Sequence, residues 1–166
     1  MPATLPTLPD AVIGETESLI GKHCAELIHD GDCLQLGIGS IPDAVCHELI
    51  HKKHLGIHSE MLGDGIVKLY EEGAVDNSLK QIDKGKFVFN FVMGSQKLYD
   101  FCNKNPDCLL KAVDYVNHPF IIAQNENVVS INGGLAVDFY GQFVGRQRYL
   151  SNNLANRRIA TPGKIH

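Results

Sequence analysis

Several familiar signals are missing from this 166-residue sequence, and each absence narrows the reading. No stretch reaches the 18 or more consecutive apolar residues of a membrane-spanning helix. The opening MPATLPTLPDAVIGETE lacks the basic and apolar regions of a secretory signal. The chain therefore reads as cytoplasmic, or mitochondrial in a eukaryote, with no membrane partner. Its five cysteines, Cys24, Cys33, Cys46, Cys102 and Cys108, form no CxxC pair. Their spacings of 9, 13, 56 and 6 residues fit neither a zinc module nor a dense disulfide framework, so reduced and mostly buried thiols are expected. No internal repeat is present.

What is there suits one globular domain. A hydrophobic content of 44% with 20% charged residues is ordinary for a folded protein, and a chain of this length buries roughly 70% of its unfolded surface. The net charge of -4 is unevenly spread: residues 145–166 hold five basic residues (Arg146, Arg148, Arg157, Arg158 and Lys164) and no acidic ones. The preceding body carries 10 basic against 19 acidic residues, which argues against a nucleic-acid partner. His47, His51, His54 and His58 fall near helical spacing, but spacing does not supply converging ligands, so a solvated helix and its loop are expected and no metal site.

Along the chain, Pro2, Pro6 and Pro9 keep the opening extended, and ETESLIGKHCAELI places Leu19, Ile20, Cys24, Leu27 and Ile28 on one helical face. CLQLGIG, residues 33–39, reads as a buried strand entering a glycine loop, and IPDAVCHELIHKKH as the following helix, with Pro42 in its first turn. LGIHSEM resembles a second short strand, after which Asp64 is placed to cap a helix ended by Gly73. KFVFNFVMG, residues 86–94, is the clearest strand by its aromatic and β-branched content, and QKLYDFCNKNP reads as a helix ending before Pro106. DYV, FIIAQ, VVSING and LAVDFYGQF read as further short strands with little helix between them. The fold class expected is α/β, with a mostly parallel, mixed sheet covered by helices.

Three places can carry chemistry. In LGIGSIP, Gly37 and Gly39 allow a ligand to touch backbone, and the helix after them offers free N–H groups to an anion. The loop lacks the third glycine of a dinucleotide fingerprint and the Gly-Lys-Ser/Thr of a phosphate loop, and a tight strand-to-helix turn explains it equally well. Glu60 ends the apolar run of GIHSEMLGDG, either as surface decoration or as a carboxylate on the rim of a parallel sheet, where ligands gather. Asn117 in DYVNHP and the run QNEN, residues 124–127, are turn residues or amide donors to a ligand.

In this order, LQLGIGSIPDAV, LGIHSEMLGDGIVKLYEEG, KGKFVFNFVMGSQKLYDF, VDYVNHPFIIAQNENVVSIN and LAVDFYGQ resemble the acetyl-CoA hydrolase/transferase family, close to butyryl-CoA:acetate and 4-hydroxybutyrate CoA-transferases. The resemblance covers residues 10–143 and implies an incomplete CoA-transferase (NagB/RpiA-like) fold, preceded by an extended segment over 1–9 and followed by a divergent basic tail over 144–166. It departs from the family where Ala136 stands in place of a usual glutamate. It implies Glu60 as a nucleophile that accepts CoA as a glutamyl-CoA thioester, poised by burial against nearby N–H donors. Gly37 and Gly39 would approach the acyl-CoA carbonyl, and Asn117 would line the acyl or CoA site. The substrates implied are an acyl-CoA and a short-chain carboxylate, with coenzyme A as substrate and no separate cofactor. The partner implied is a second copy or a complementary CoA-transferase domain, needed for activity. The alternatives are a noncatalytic remnant that binds CoA or a partner, and a hydrolase using the same glutamate.

Overall fold

The computed structural model describes residues 5–9, 11–134 and 136–144. The basic tail from Gly145 onward lies outside the described residues. The central sheet has the order β2-β1-β7, all parallel, with β1 (Cys33–Leu36) between β2 (Gly56–Ile57) and β7 (Val128–Ile131). A parallel bridge between His58 and Val88 brings β2 alongside β4 (Phe87–Phe89), which pairs in parallel with β6 (Cys108–Leu110). Beyond the end of β2, β3 (Met61–Leu62) pairs in parallel with β5 (Phe91–Val92). A short antiparallel pair, β8 (Ala136–Val137) with β9 (Phe143–Val144), completes the mixed character expected from sequence.

Helices α1 (Glu15–Glu26), α2 (Ser40–Glu48), α3 (Asp64–Glu71) and α4 (Gln96–Cys102) cover this framework. Two short helices, α5 (Val113–Val116) and α6 (Pro119–Ile122), precede β7. Leu34, Val45, Ile57, Leu62, Leu69 and Leu98 are fully buried between sheet and helices, each contributing about 1.5–3 kcal/mol of transfer free energy. Tyr70, Phe87 and Phe101 join α3, β4 and α4, with Phe87 edge-on to both neighbours at centroid distances of 5.6 and 5.4 Å.

Four sequence expectations change on folding. The buried stripe of α1 is Gly21 and Ala25, continued by Ile28, whereas Leu19 and Leu27 are exposed. Gly21 sets this rotation, because a Cβ there would lie 2.8 Å from the Ala44 carbonyl oxygen; the smallest residue lets α1 and α2 touch. The run KFVFNFVMG is two strands with different partners, broken at Asn90. DYV and FIIAQ are helical turns, not strands: α6 carries Pro119 in its first turn, and the His118 side chain accepts from the Phe120 N–H at its start. Asp64 begins α3 without capping it; Gly63 is the N-cap residue, and the Asp64 carboxylate bonds Ser95 instead.

Candidate functional site at the carboxyl edge of the sheet

Because β1, β2 and β7 run in parallel, the chain leaves all three at one edge of the sheet. The register offset is constant at 23 residues between β1 and β2 and 95 between β1 and β7. By offset alone, Gly37 corresponds to Asn132 one residue past the end of the β1–β7 ladder, and to Glu60 three residues past the last β1–β2 pair, Leu34 with Ile57. Real contacts support the extension: the Ser59 hydroxyl bonds both the N–H and the carbonyl of Leu36, and the Gly37 N–H donates to the Ile131 carbonyl at 2.8 Å.

The glycine loop is tightly specified. A Cβ on Gly37 would lie 2.7 Å from Asn132 Oδ1, so glycine permits the side chain of Asn132 to cross the loop. Asn132 in turn donates to Gln35 Oε1 at 2.9 Å and to Ser130 Oγ at 3.0 Å, joining β1 to β7 through side chains. Gly39, the N-cap residue of α2, has φ 114° and ψ 179°, a conformation open almost only to glycine. The first N–H groups of α2 follow immediately, and they lack carbonyl partners within the helix.

Beside this loop lies a cavity of about 600 Å³. Gly37, Ile38, Gly39 and Ile41 line it, and Met61 and Met93 add apolar surface. The opening segment runs along it: Leu8 and Pro9 line the cavity, the Leu8 N–H donates to the Gly94 carbonyl at 3.0 Å, and Tyr99 Oη donates to the Pro6 carbonyl at 2.8 Å. The polar lining includes Asp43, Asp64 and Asn132. Burial and the like charge of Asp64 raise the Asp43 carboxyl above its usual range, against the lowering effects of His47 and the Gly65 N–H.

Glu60 is half-buried, and its backbone is held where the split strand passes. Its carbonyl accepts from the Asn90 N–H at 2.9 Å and from the Phe91 N–H at 3.2 Å, while Asn90 Nδ2 reaches across to the Lys111 carbonyl at 2.9 Å. Among the described residues no hydrogen bond to the Glu60 carboxylate is formed. Glu60 itself does not line the cavity, although the next residue, Met61, does.

Asn117 stands apart from Gly37 and Gly39. It is the half-buried C-cap residue of α5, does not line the cavity, and its N–H donates to the Val113 carbonyl at 2.9 Å. Its neighbour Val116 is tied to the segment between β2 and Glu60, because the Val116 carbonyl accepts from His58 Nε2 at 2.8 Å. His58 is only 3% exposed, which corrects the expectation of four solvated histidines; His47, His51 and His54 are exposed. Within QNEN, Asn125 is a buried bridge that accepts from the Gln81 N–H at 3.3 Å. No group of three or more potential metal-ligating side chains converges among the described residues. Sequence reasoning missed Asn132 and His58; for Asn132 the available signal was its place at the end of VVSI, in step with Gly37.

All five cysteines are free, two of them buried and three half-buried. Among the described residues, no helix is long and apolar enough to cross a membrane.

Residues 94–153 match the family described as acetyl-CoA hydrolase/transferase C-terminal domain. The chain is 52% identical over 130 residues to the 4-hydroxybutyrate coenzyme A transferase of Clostridium kluyveri, covering 78% of this chain and 30% of that protein. It is 53% identical over 130 residues to the succinyl-CoA:cyclohexane-1-carboxylate CoA transferase of Geobacter metallireducens, with the same coverages of 78% and 30%. The crystal structure of RipA from Yersinia pestis superposes with a TM-score of 0.84 at 41% identity, over 87% of this chain and 34% of that one. A 4-hydroxybutyrate CoA-transferase from Porphyromonas gingivalis superposes with a TM-score of 0.76 at 45% identity, over 81% and 35%. The chain therefore spans about 30% of the length of the curated relatives it matches. With five ordered sequence blocks, a parallel sheet of the same fold and these relatives in agreement, the chain belongs to the acetyl-CoA hydrolase/transferase family.

Proposed function

We propose that this chain carries the nucleophile-bearing portion of a CoA-transferase, which moves CoA between an acyl-CoA and a short-chain carboxylate such as acetate, butyrate or 4-hydroxybutyrate. The observation that carries the reading is the place of Glu60 just past the carboxyl end of β2, the parallel neighbour of β1, which leads into the Gly37–Gly39 loop. The relatives named as CoA-transferases supply the reaction class.

In the proposed sequence, the Glu60 carboxylate attacks the acyl-CoA carbonyl carbon, and the carbon–sulfur bond breaks to release CoA thiolate and leave a mixed anhydride. The thiolate then attacks the Glu60 carbonyl carbon of that anhydride, releasing the donor carboxylate and forming the glutamyl-CoA thioester. An acceptor carboxylate repeats these two steps in reverse and leaves as the new acyl-CoA, regenerating the Glu60 carboxylate. Each addition places negative charge on a carbonyl oxygen, and the N–H groups opening α2 after Gly39 are the donors proposed to meet it. Asn117 is proposed to contact the acyl or CoA portion from the far side of the His58 tether.

Complementary chain is proposed to complete the site. Ile38 is 56% exposed and Met93 38% exposed on the cavity rim, apolar surface suited to a second wall supplied by another CoA-transferase domain or another copy. With that wall open, water has access to the thioester, and hydrolysis through the same glutamate is the competing outcome.

The test is exchange of label from acetate into acetyl-CoA in the presence of butyryl-CoA, using the chain alone and the chain mixed with a polypeptide supplying the rest of a relative. Exchange by the native protein and none by folded Glu60→Ala is expected. Equal exchange by both would overturn the assignment of Glu60.

A further inference from the structure

We infer that His58 is a positioning residue, whose Nε2–H fastens the strand end bearing Glu60 to the segment bearing Asn117 and so fixes the spacing of the two sides of the site. The inference rests on the reading of Glu60 as nucleophile. His58 lies two residues before Glu60, and its backbone is already committed: its N–H donates to the Leu34 carbonyl at 3.1 Å, and it bridges Val88. Its side chain reaches 58 residues along the sequence to the Val116 carbonyl, at 2.8 Å, with both residues almost wholly buried.

The chemistry of that contact defines the ring. A carbonyl oxygen only accepts, so Nε2 carries the proton, and a neutral imidazole then leaves Nδ1 as a lone pair. Nδ1 is buried and has no hydrogen-bond partner among the described residues. The ring is therefore anchored at one end only, and the Val116 bond joins the end of α5 to the residue that follows β2, alongside the bonds from Tyr115 Oη to Asp83 and from the Lys111 N–H to the Phe89 carbonyl. Val116 ends α5, so its carbonyl has no helical partner, and His58 Nε2 is the donor that satisfies it. Asn117 follows directly. The His58 bond thus links it to the segment bearing Glu60 by a side chain, in addition to the route through Asn90 and Lys111.

Three substitutions separate positioning from packing. Glutamine extends an amide N–H to about the reach of Nε2; asparagine carries the same amide too short to reach Val116; leucine fills space without a donor. In protein that exchanges CoA, His58→Asn and His58→Leu are expected to slow formation of the Glu60 thioester by about tenfold to a hundredfold while leaving KM for acyl-CoA nearly unchanged, and His58→Gln to recover most of the rate. Folded His58→Asn and His58→Leu proteins with native rates would overturn the inference.

A second measurement needs no turnover. Nitrogen-15 imidazole spectra of the native chain are expected to show the Nε2–H tautomer, and the Asn117 and Glu60 amide resonances to shift together in His58→Asn but not in His58→Gln. A native Nδ1–H tautomer, or unmoved Asn117 resonances in His58→Asn, would overturn the tether whatever the activity. Should Glu60→Ala retain exchange, the nucleophile assignment fails while the spectra still decide whether His58 holds Val116.

Discussion

Asp64 and Ser95 join the starts of two helices: the Asp64 carboxylate accepts from the Ser95 N–H at 2.9 Å and from Ser95 Oγ at 2.6 Å. Asp64 opens α3 and Ser95 is the N-cap residue of α4, so one acidic side chain satisfies a donor at the second helix while lying in the positive field of the first. Asp64→Ala is expected to lower stability by about 1–3 kcal/mol, since it orphans both Ser95 donors, and Asp64→Asn by less. Urea unfolding of the two variants checks this; equal losses would show that charge, not acceptor capacity, matters.

The two glycines of the loop differ in why they are glycine. Gly39→Ala forces a side chain into a backbone conformation at φ 114° and is expected to cost about 1–3 kcal/mol. Gly37→Ala has no such strain but pushes against Asn132 Oδ1, 2.7 Å from the added carbon, and breaks the link between Asn132 and Gln35. Its smaller stability loss should be matched by Gln35→Ala, and the two losses should not add, because both remove one network. Denaturation midpoints of the single and double variants decide it.

Stability should depend on pH through His58. Burial holds its imidazole below the usual 6.5, helped by the positive charge of Lys80 and opposed by the Val116 carbonyl and Asp83. As pH falls through about 6.5, the unfolded chain takes up this proton before the folded one, so the folded state binds fewer protons. Stability is therefore complete above that pH and declines below it until the buried ring also protonates. Urea unfolding at about pH 7.5 and pH 5.5 should show the decline in the native protein and a smaller one in His58→Gln. An undiminished decline in the variant would assign it to other groups.

The thiols should react in a set order. Burial pushes the Cys33 thiol up to about 11, against the favourable charge of Lys80, and burial raises Cys46 as well. Cys102 moves the other way, lowered by a hydrogen bond from Cys108. Iodoacetamide at about pH 8 should modify Cys102 ahead of Cys33 and Cys46, which become reactive only on unfolding. Peptide mass mapping over a time course reads the order directly.

The parts of the fold that local pattern specifies were legible in the sequence. CLQL followed by Gly37 and Gly39 announces a strand, a turn and a helix within a few residues, and all three form as expected. Side chains whose partners are remote were not legible. Nothing local distinguishes buried His58 from exposed His54, because the difference is made by Val116. Lys80 is 2% exposed because its ammonium finds the Ile57 and Lys86 carbonyls, at 2.9 and 2.8 Å, an outcome its charge argues against until those carbonyls are in place. Composition also misled at KFVFNFV, where aromatic and β-branched residues favour a strand on both sides of Asn90 but cannot say that the chain changes partners there. The neighbourhood of Gly37 divides in the same way: its strand-turn-helix setting was readable locally, whereas its close approach to Asn132 exists only once β1 stands beside β7.

That change of partners at Asn90 has an entropic consequence for Glu60. Two successive amide groups, those of Asn90 and Phe91, converge on its carbonyl, so folding itself orients that peptide group. The freedom that remains lies in the side-chain torsions of a carboxylate with no described hydrogen-bond partner. A ligand meeting Glu60 would then order chiefly its side-chain torsions, which keeps the ordering penalty small.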